Sequence, residues 1–184
     1  MVITGPSGSG KSTVIREILR KRPQAVLSVS HTTRPKRNYE QDGVHYCFTT
    51  RERFLEWAKS SRLLEWEEVH GELYGTDREA VERELDAGKT VIFDIDVKGG
   101  ESIKSHYPET ILIFLYAPSL EELRSRLSHR GTDTPEAIEK RLSRYEFEKV
   151  WGDKYPHRIL NRDLEQTVAE ILKLMDSKIN LRKQ

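Results

Sequence analysis

Covalent cross-linking is all but ruled out in this sequence: its single cysteine, Cys47, cannot form an internal disulfide, and a reducing compartment is expected. No apolar run is long enough for a membrane span, and the N-terminus lacks the basic-then-apolar pattern of a signal peptide. Charge of one sign is not in excess either. Lys and Arg number 31 against 30 Asp and Glu, a net charge of +1, so the bulk basic field of a nucleic-acid binder is missing. No repeat, low-complexity tract or Pro/Gly/Ser-rich linker divides the 184 residues, a length suited to one α/β-sized domain. These absences lead to the expectation of a cytoplasmic protein, a monomer or small homo-oligomer, that acts on small molecules through placed charges, without nucleic acid or membrane.

What is present is an alternation of short β-like runs and longer helical ones. Met1–Thr4 reads as a first strand, short enough that it is expected to continue upstream of this sequence. Ser12–Arg20 follows as a helix with Val14, Ile15, Ile18 and Leu19 on one face. Ala25–Ser30 reads as a strand, then a polar loop, a short strand at His45–Phe48 and a helix at Arg53–Lys59. Leu63–Tyr74 reads as a hairpin turning near His70-Gly71, and Asp77–Ala87 as a helix closed by Gly88. Thr90–Ile95 and Thr110–Tyr116 are near-continuous apolar runs, the pattern of parallel strands covered on both faces. Helices are predicted at Ser119–Ser128, Pro135–Val150 and Asp163–Asn180, with a strand near Arg158–Leu160. The fold class is therefore α/β, a parallel core sheet with helices on both sides.

Gly5-Pro6-Ser7-Gly8-Ser9-Gly10-Lys11-Ser12 matches the phosphate-loop pattern without a gap, between a predicted strand and a predicted helix. Glycines allow backbone N–H groups to turn inward around an anion, reinforced by the positive end of the helix. Lys11 is expected to reach the β- and γ-phosphates, and the Ser12 hydroxyl to coordinate Mg²⁺. Gly5, Ser7, Gly8, Ser9, Gly10, Lys11, Ser12 and Thr13 thus form the candidate ATP cradle. By itself the loop does not separate an ATPase, a GTPase and a small-molecule kinase.

Further along, Arg34 and Arg37, stiffened by Pro35, make a fork suited to a phosphate dianion; on charge alone a solvated basic loop is an equal reading. Glu65 sits in an acidic run with Glu67 and Glu68 that could be a solvated strand face, and Tyr74 before Gly75 could be a hairpin aromatic. Thr90–Asp94 is an apolar strand ending in an acid, the Walker B arrangement, although Asp94 could instead cap a following helix. Strand alternation would put Asp94 and Asp96 on one face. Arg126, Arg130 and Arg141 flank the turn-rich Gly131-Thr132-Asp133-Thr134-Pro135, as a phosphate-closing lid would require, or pair along helices.

Over essentially its whole length the sequence resembles the guanylate kinases. The resemblance rests on Ser30-x-Thr32-Thr33-Arg34 with Arg37, Gly43-x-x-Tyr46-x-Phe48, Glu65-Trp66, Tyr74-Gly75-Thr76, Asp94-Ile95-Asp96-x-x-Gly99 and Arg126-Leu127-x-x-Arg130-Gly131-Thr132, in that order. It implies a P-loop kinase fold: a core at 1–31 and 87–184, an inserted GMP-binding lobe at about 32–86 and a lid at about 126–141. It implies ATP as phosphoryl donor, Mg²⁺ held by Ser12 and, through bound water, Asp94, and GMP (with dGMP) as acceptor. Arg34, Arg37, Tyr46 and Tyr74 would hold the GMP phosphate, and Ser30, Glu65, Thr76 and Asp96 would read guanine. Lys11, Asp94, Arg126, Arg130 and Arg141 would serve the transfer itself, with Arg130 and Asn161 also on the ATP side. The chemistry agrees: a carboxylate can accept both adjacent guanine donors, N1–H and the exocyclic amine, whereas adenine offers no such pair. Ser30 or Thr76 could supply a hydroxyl to O6. No catalytic base is needed, because the acceptor phosphate is already an anionic nucleophile.

Two departures stand out. Lys98 occupies a position where the family most often has glutamine, and Pro35 directly follows Arg34, a spelling shared with guanylate-kinase-like domains of membrane-associated scaffolds. Those non-catalytic, phosphopeptide-binding domains are the alternative reading; they have degraded phosphate loops and usually proline at the position of Ser30, whereas this chain has the loop, Lys11 and Ser30. A kinase for another phosphorylated acceptor would have no use for Glu65 with Ser30 and Thr76.

Overall fold

The structure, a computed structural model, describes residues 1–69, 71–129 and 134–181. The chain runs β1 (Val2–Thr4), α1 (Lys11–Lys21), β2 (Ala25–Leu27), β3 (His31–Thr32), β4 (Cys47–Phe48), α2 (Arg51–Lys59), β5 (Leu63–Val69), β6 (Glu72–Asp77) and α3 (Arg78–Asp86). It continues through β7 (Thr90–Asp94), α4 (Val97–His106), β8 (Leu112–Tyr116), α5 (Leu120–Ser128), α6 (Pro135–Leu142), α7 (Tyr145–Gly152), β9 (His157–Leu160) and α8 (Leu164–Leu181).

Five parallel strands form the central sheet in the order β2-β7-β1-β8-β9. The apolar runs of β7 and β8 are buried because both sheet faces are covered. One face packs Ile3, Ile92, Ile113 and Leu115 against Val14 and Ile18 of α1 and Val168 and Ile171 of α8. The other packs Val2, Val91, Phe93 and Phe114 against Val81 of α3 and Val97 and Ile103 of α4. The chain leaves β1 toward β2 on one side, and from β7 it crosses past β1 to β8 on the other, so a crevice opens beside the carboxyl end of β1, where open α/β sheets place ligands.

A second, four-stranded sheet has the order β4-β3-β6-β5, with β6 antiparallel to both neighbours. It has its own apolar cluster of Phe54, Leu63 and Leu73 with Trp57. Helices α5 and α6 share another, built on Leu123, Leu127, Ile138 and Leu142. Among the described residues no helix is long and apolar enough to cross a membrane.

Three elements differ from the sequence expectation. The strand expected over Ala25–Ser30 ends at Leu27, and the chain crosses to the second sheet, leaving Ser30 between the two. The helix expected over Pro135–Val150 is two helices. Ser143 and Arg144 keep helical φ while ψ opens to −22° and −11°, which ends the first hydrogen-bond ladder and re-aims the second. Helix α4 is not among the predicted elements, because Gly99 and Gly100 weaken its signal. Its N-cap is Asp96, not Asp94: Asp96 Oδ1 accepts the Gly99 amide at 2.9 Å. The predicted hairpin turn at His70-Gly71 and the predicted lid centre at Gly131–Asp133 fall partly or wholly outside the described residues.

Candidate functional site

A cleft of about 530 Å³ lies at the carboxyl end of the central sheet, between that sheet, the second sheet and the α6–α7 junction. One end is the phosphate loop. Gly10 sits at φ +95° as N-cap of α1, which has neither a side-chain cap nor an acidic residue in its first turn. The helix therefore presents bare N–H groups to the loop, the arrangement that suits an anion. Lys11 Nζ donates to the carbonyls of Gly5 at 2.6 Å and Pro6 at 3.3 Å, so its ammonium lies across the loop mouth.

The loop is braced from below. Asn161, at the end of β9 and only 8% exposed, donates from Nδ2 to the Ser9 carbonyl at 2.7 Å. Its Oδ1 accepts the Thr167 hydroxyl at 3.1 Å, so the amide is used at both ends. A Cβ on Gly10 would stand 2.3 Å from that Nδ2, so the left-handed turn and the brace require glycine together. Asn161, expected on the ATP side, has its side chain buried under the phosphate loop.

Asp94 ends β7 beside the loop. Burial pushes its carboxyl above the usual range, against the opposing pull of the Lys11 charge and a hydrogen bond from Ser12. Asp94 and Asp96 do address one cleft, but not by strand alternation: β7 stops at Asp94, and the turn into α4 brings Asp96 back to the same wall. Arg141 Nη1 donates to Ser7 Oγ at 3.2 Å from the other side of the loop. Arg126 lies beneath, bound to Glu122 at 2.8 Å and to the Asn161 carbonyl at 3.1 Å, outside the cleft lining. Arg130 lies outside the described residues.

The far wall comes from the second sheet. Arg34 stands 5.4 Å from the ring centre of Tyr46 and donates to Glu40 Oε1 at 2.6 Å. Glu40 is buried, and its other oxygen accepts the Arg37 amide at 2.8 Å, so one carboxylate fixes both arms of the fork. The sequence reading did not single out Glu40; its i, i+3 and i, i+6 relation to the two arginines is the signal that was available. Tyr46 and Tyr74 meet edge-to-face at 5.9 Å, and burial, together with nearby Asp94, pushes the Tyr46 hydroxyl up to about 12. Arg34, Arg37, Tyr46 and Tyr74 all line the same cleft.

A β-bulge between Leu63 and Glu65 sets which acids face inward. Both leucines are buried, and beyond them Glu65, Glu67 and Val69 turn toward the cleft while Trp66 and Glu68 face out. The acidic run is therefore not a uniform solvated face. Glu65 lies opposite Thr76 on β6, and the Thr76 hydroxyl donates to its Oε1 at 2.6 Å. A Cβ on Gly99 would come within 2.8 Å of Glu65 Oε2, so a larger residue there would push on this carboxylate. Burial raises the Glu65 carboxyl to about 7; the Thr76 bond resists and Asp96 adds to the rise.

Arg144 was also missed. It follows Arg141 by three residues, a spacing that carries it to the opposite end of the same cleft. Its Nη2 approaches Asp96 Oδ2 at 3.3 Å and Glu67 Oε1 at 3.8 Å, and its Nε reaches Glu148 at 3.9 Å. The arrangement thus joins a phosphate-loop end rich in backbone donors, an arginine–tyrosine wall, and an acidic end that can accept hydrogen bonds from a base.

A family model described as guanylate kinase matches residues 1–178. The guanylate kinase of Thermotoga maritima is 42% identical over 176 residues, covering 96% of this chain and 85% of that one. That of Bacteroides thetaiotaomicron is 43% identical over 182 residues, covering 98% and 89%. Among solved structures, the guanylate kinase from Anaplasma phagocytophilum superposes with a TM-score of 0.78 at 32% identity, over 96% of this chain and 84% of that one.

Proposed function

Because the chain belongs to the guanylate kinase family and is an ATP-dependent GMP kinase, we propose that its cleft holds ATP at the Gly5–Thr13 loop and GMP between the second sheet and α4. The observation that carries this division is the Thr76–Glu65 pair, a part-buried hydroxyl–carboxylate bond in the cleft that Lys11 also lines. Glu65 accepts guanine N1–H and one amine hydrogen, and Asp96 accepts the other. Because the Thr76 hydroxyl proton is already given to Glu65, Ser30 is the hydroxyl for guanine O6. Arg34 and Arg37, with Tyr46 and Tyr74, hold the GMP phosphate at the base of the wall.

An oxygen of that phosphate attacks the γ-phosphorus of ATP as the bond to the β–γ bridging oxygen breaks, giving GDP and ADP. The residues position and neutralise: Lys11 on the β- and γ-phosphates, Arg141 above Ser7, and the backbone amides of the loop around the β-phosphate. Arg126 acts from below, through its bond to the Asn161 carbonyl, and Arg130 retains its proposed place on the ATP phosphates.

Mg²⁺ fits the donor set. Ser12 and Asp94 are hydrogen-bonded neighbours and offer a hydroxyl and a carboxylate, the hard oxygens this ion prefers. Among the described residues no group of three or more His, Cys, Asp and Glu could hold a metal by itself, which suits an ion completed by phosphate oxygens and water. Ser12 and Asp94 would hold the ion, which would supply positive charge to offset that of the phosphates during transfer.

The test is ADP release measured with GMP, IMP, AMP, UMP and CMP as acceptors. GMP turns over, and AMP, UMP and CMP do not exceed background hydrolysis. Turnover of AMP comparable to GMP would remove Glu65 from base recognition.

A further inference from the structure

The base-reading end of the cleft is crowded with negative charge. Glu65, Glu67, Asp96 and Glu148 all line it, and the side chain of Arg144 meets three of the four. That arginine is only 23% exposed, whereas the neighbouring Lys98 is 53% exposed and is engaged from outside by Glu67 at 3.6 Å and the Phe147 ring at 5.4 Å. Partly buried carboxylates this close repel one another unless a cation stands among them. Lys11 acts on Glu148, and Arg144 is the cation that reaches Asp96, Glu67 and Glu148 together; its rigid planar fork fixes direction as well as charge.

Its main partner is Asp96. One Asp96 oxygen is held by the Gly99 amide at 2.9 Å, and the other receives Arg144 at 3.3 Å. The carboxylate is thus gripped at both oxygens, which fixes its plane and leaves lone pairs directed into the cleft. Arg144 comes from the α6–α7 junction, and Arg141, one turn earlier, reaches Ser7 of the phosphate loop. A single short segment therefore touches both the donor loop and the base-reading acid.

We propose that Arg144 is a positioning residue for guanine recognition, holding Asp96 oriented to accept the exocyclic amine of GMP. This rests on the reading that Asp96 accepts that amine.

IMP, which keeps the carbonyl and N1–H but lacks the amine, isolates the effect. In steady-state kinetics Arg144→Met, which preserves most of the side chain's bulk, raises the GMP KM about tenfold. It changes kcat and the ATP KM by less than about threefold and leaves the IMP KM unchanged. Arg144→Lys recovers part of the loss. In the Asp96→Asn background, Arg144→Met adds nothing further to the GMP KM. Equal shifts for GMP and IMP, or no shift for either, would overturn the inference while leaving the Asp96 reading intact. If Asp96→Asn itself fails to lower the preference for GMP over IMP, the reading beneath the inference falls, and the inference with it. Thermal melts of each variant confirm that the proteins compared are folded.

Discussion

On the proposed reading, the two ends of the cleft would hold their ligands by different means. At the donor end, consecutive residues Gly5–Ser12 present backbone N–H groups, with Lys11 across the mouth and Asn161 bracing the turn from below. The loop's shape follows from its glycines and one buried amide. At the acceptor end, side chains do the work, and they come from β5, β6, α4, the α6–α7 junction and the loop between β3 and β4. Those groups are charged and partly desolvated, and each needs a partner to hold it: Glu40 for the arginines, Thr76 for Glu65, Arg144 for Asp96. A backbone site keeps its shape whatever the pH. A site of buried carboxylates gains selectivity, and exchanges protons as it binds.

The largest blow to that contrast comes from Lys11, a charged side chain at the donor end. Lys11→Ala is expected to lower kcat by about three orders of magnitude, because its ammonium neutralises charge that the backbone amides only share. The GMP KM should move little, and circular dichroism should show the fold intact. Retained turnover would place the phosphate stabilisation elsewhere.

Asn161→Ala separates the ends more finely. Removing the amide leaves the Ser9 carbonyl and the Thr167 hydroxyl without these partners, at a cost of about 1–3 kcal/mol in stability. Because the lost bond shapes the loop itself, the ATP KM should rise about tenfold while the GMP KM stays within error. A thermal melt and two substrate titrations check this. An ATP KM unchanged in a destabilised protein would make Asn161 a packing residue alone.

This contrast also explains what could be read from the sequence. The donor end was legible because its parts are consecutive and its spacing is dictated by the anion. The parallel sheet was legible from the apolar runs at Thr90–Ile95 and Thr110–Tyr116. The acceptor end was legible only through the family resemblance, since Ser30, Glu65, Thr76 and Asp96 are brought together by tertiary packing. What escaped was what local pattern does not encode. The bulge before Glu65 decides which acids face in, and two glycines conceal α4. Asn161 shows the limit of sequence reading: its burial and its bond to the Ser9 carbonyl are not written in its neighbours.

The smallest predicted effect is the most diagnostic for the acceptor end. Burial lifts the Glu65 carboxyl to about 7 from an ordinary 4.5. In the ligand-free protein the unfolded chain therefore holds fewer protons between those values, and this residue's contribution to stability falls as pH rises from about 4.5 to 7. Binding runs the other way. Only the ionised carboxylate can accept both guanine donors, so GMP affinity falls as pH drops below about 7, by several-fold over one unit. At pH near 6.5, GMP binding should release a fraction of a proton from Glu65, readable by calorimetry in two buffers of different ionisation heat. The phosphate of GMP also titrates in this region, so the comparison is with Glu65→Gln, in which the phosphate's contribution remains and the carboxyl's is gone. Proton release identical in the two proteins would mean that Glu65 is already ionised before GMP arrives. The acceptor end would then be as indifferent to pH as the phosphate loop.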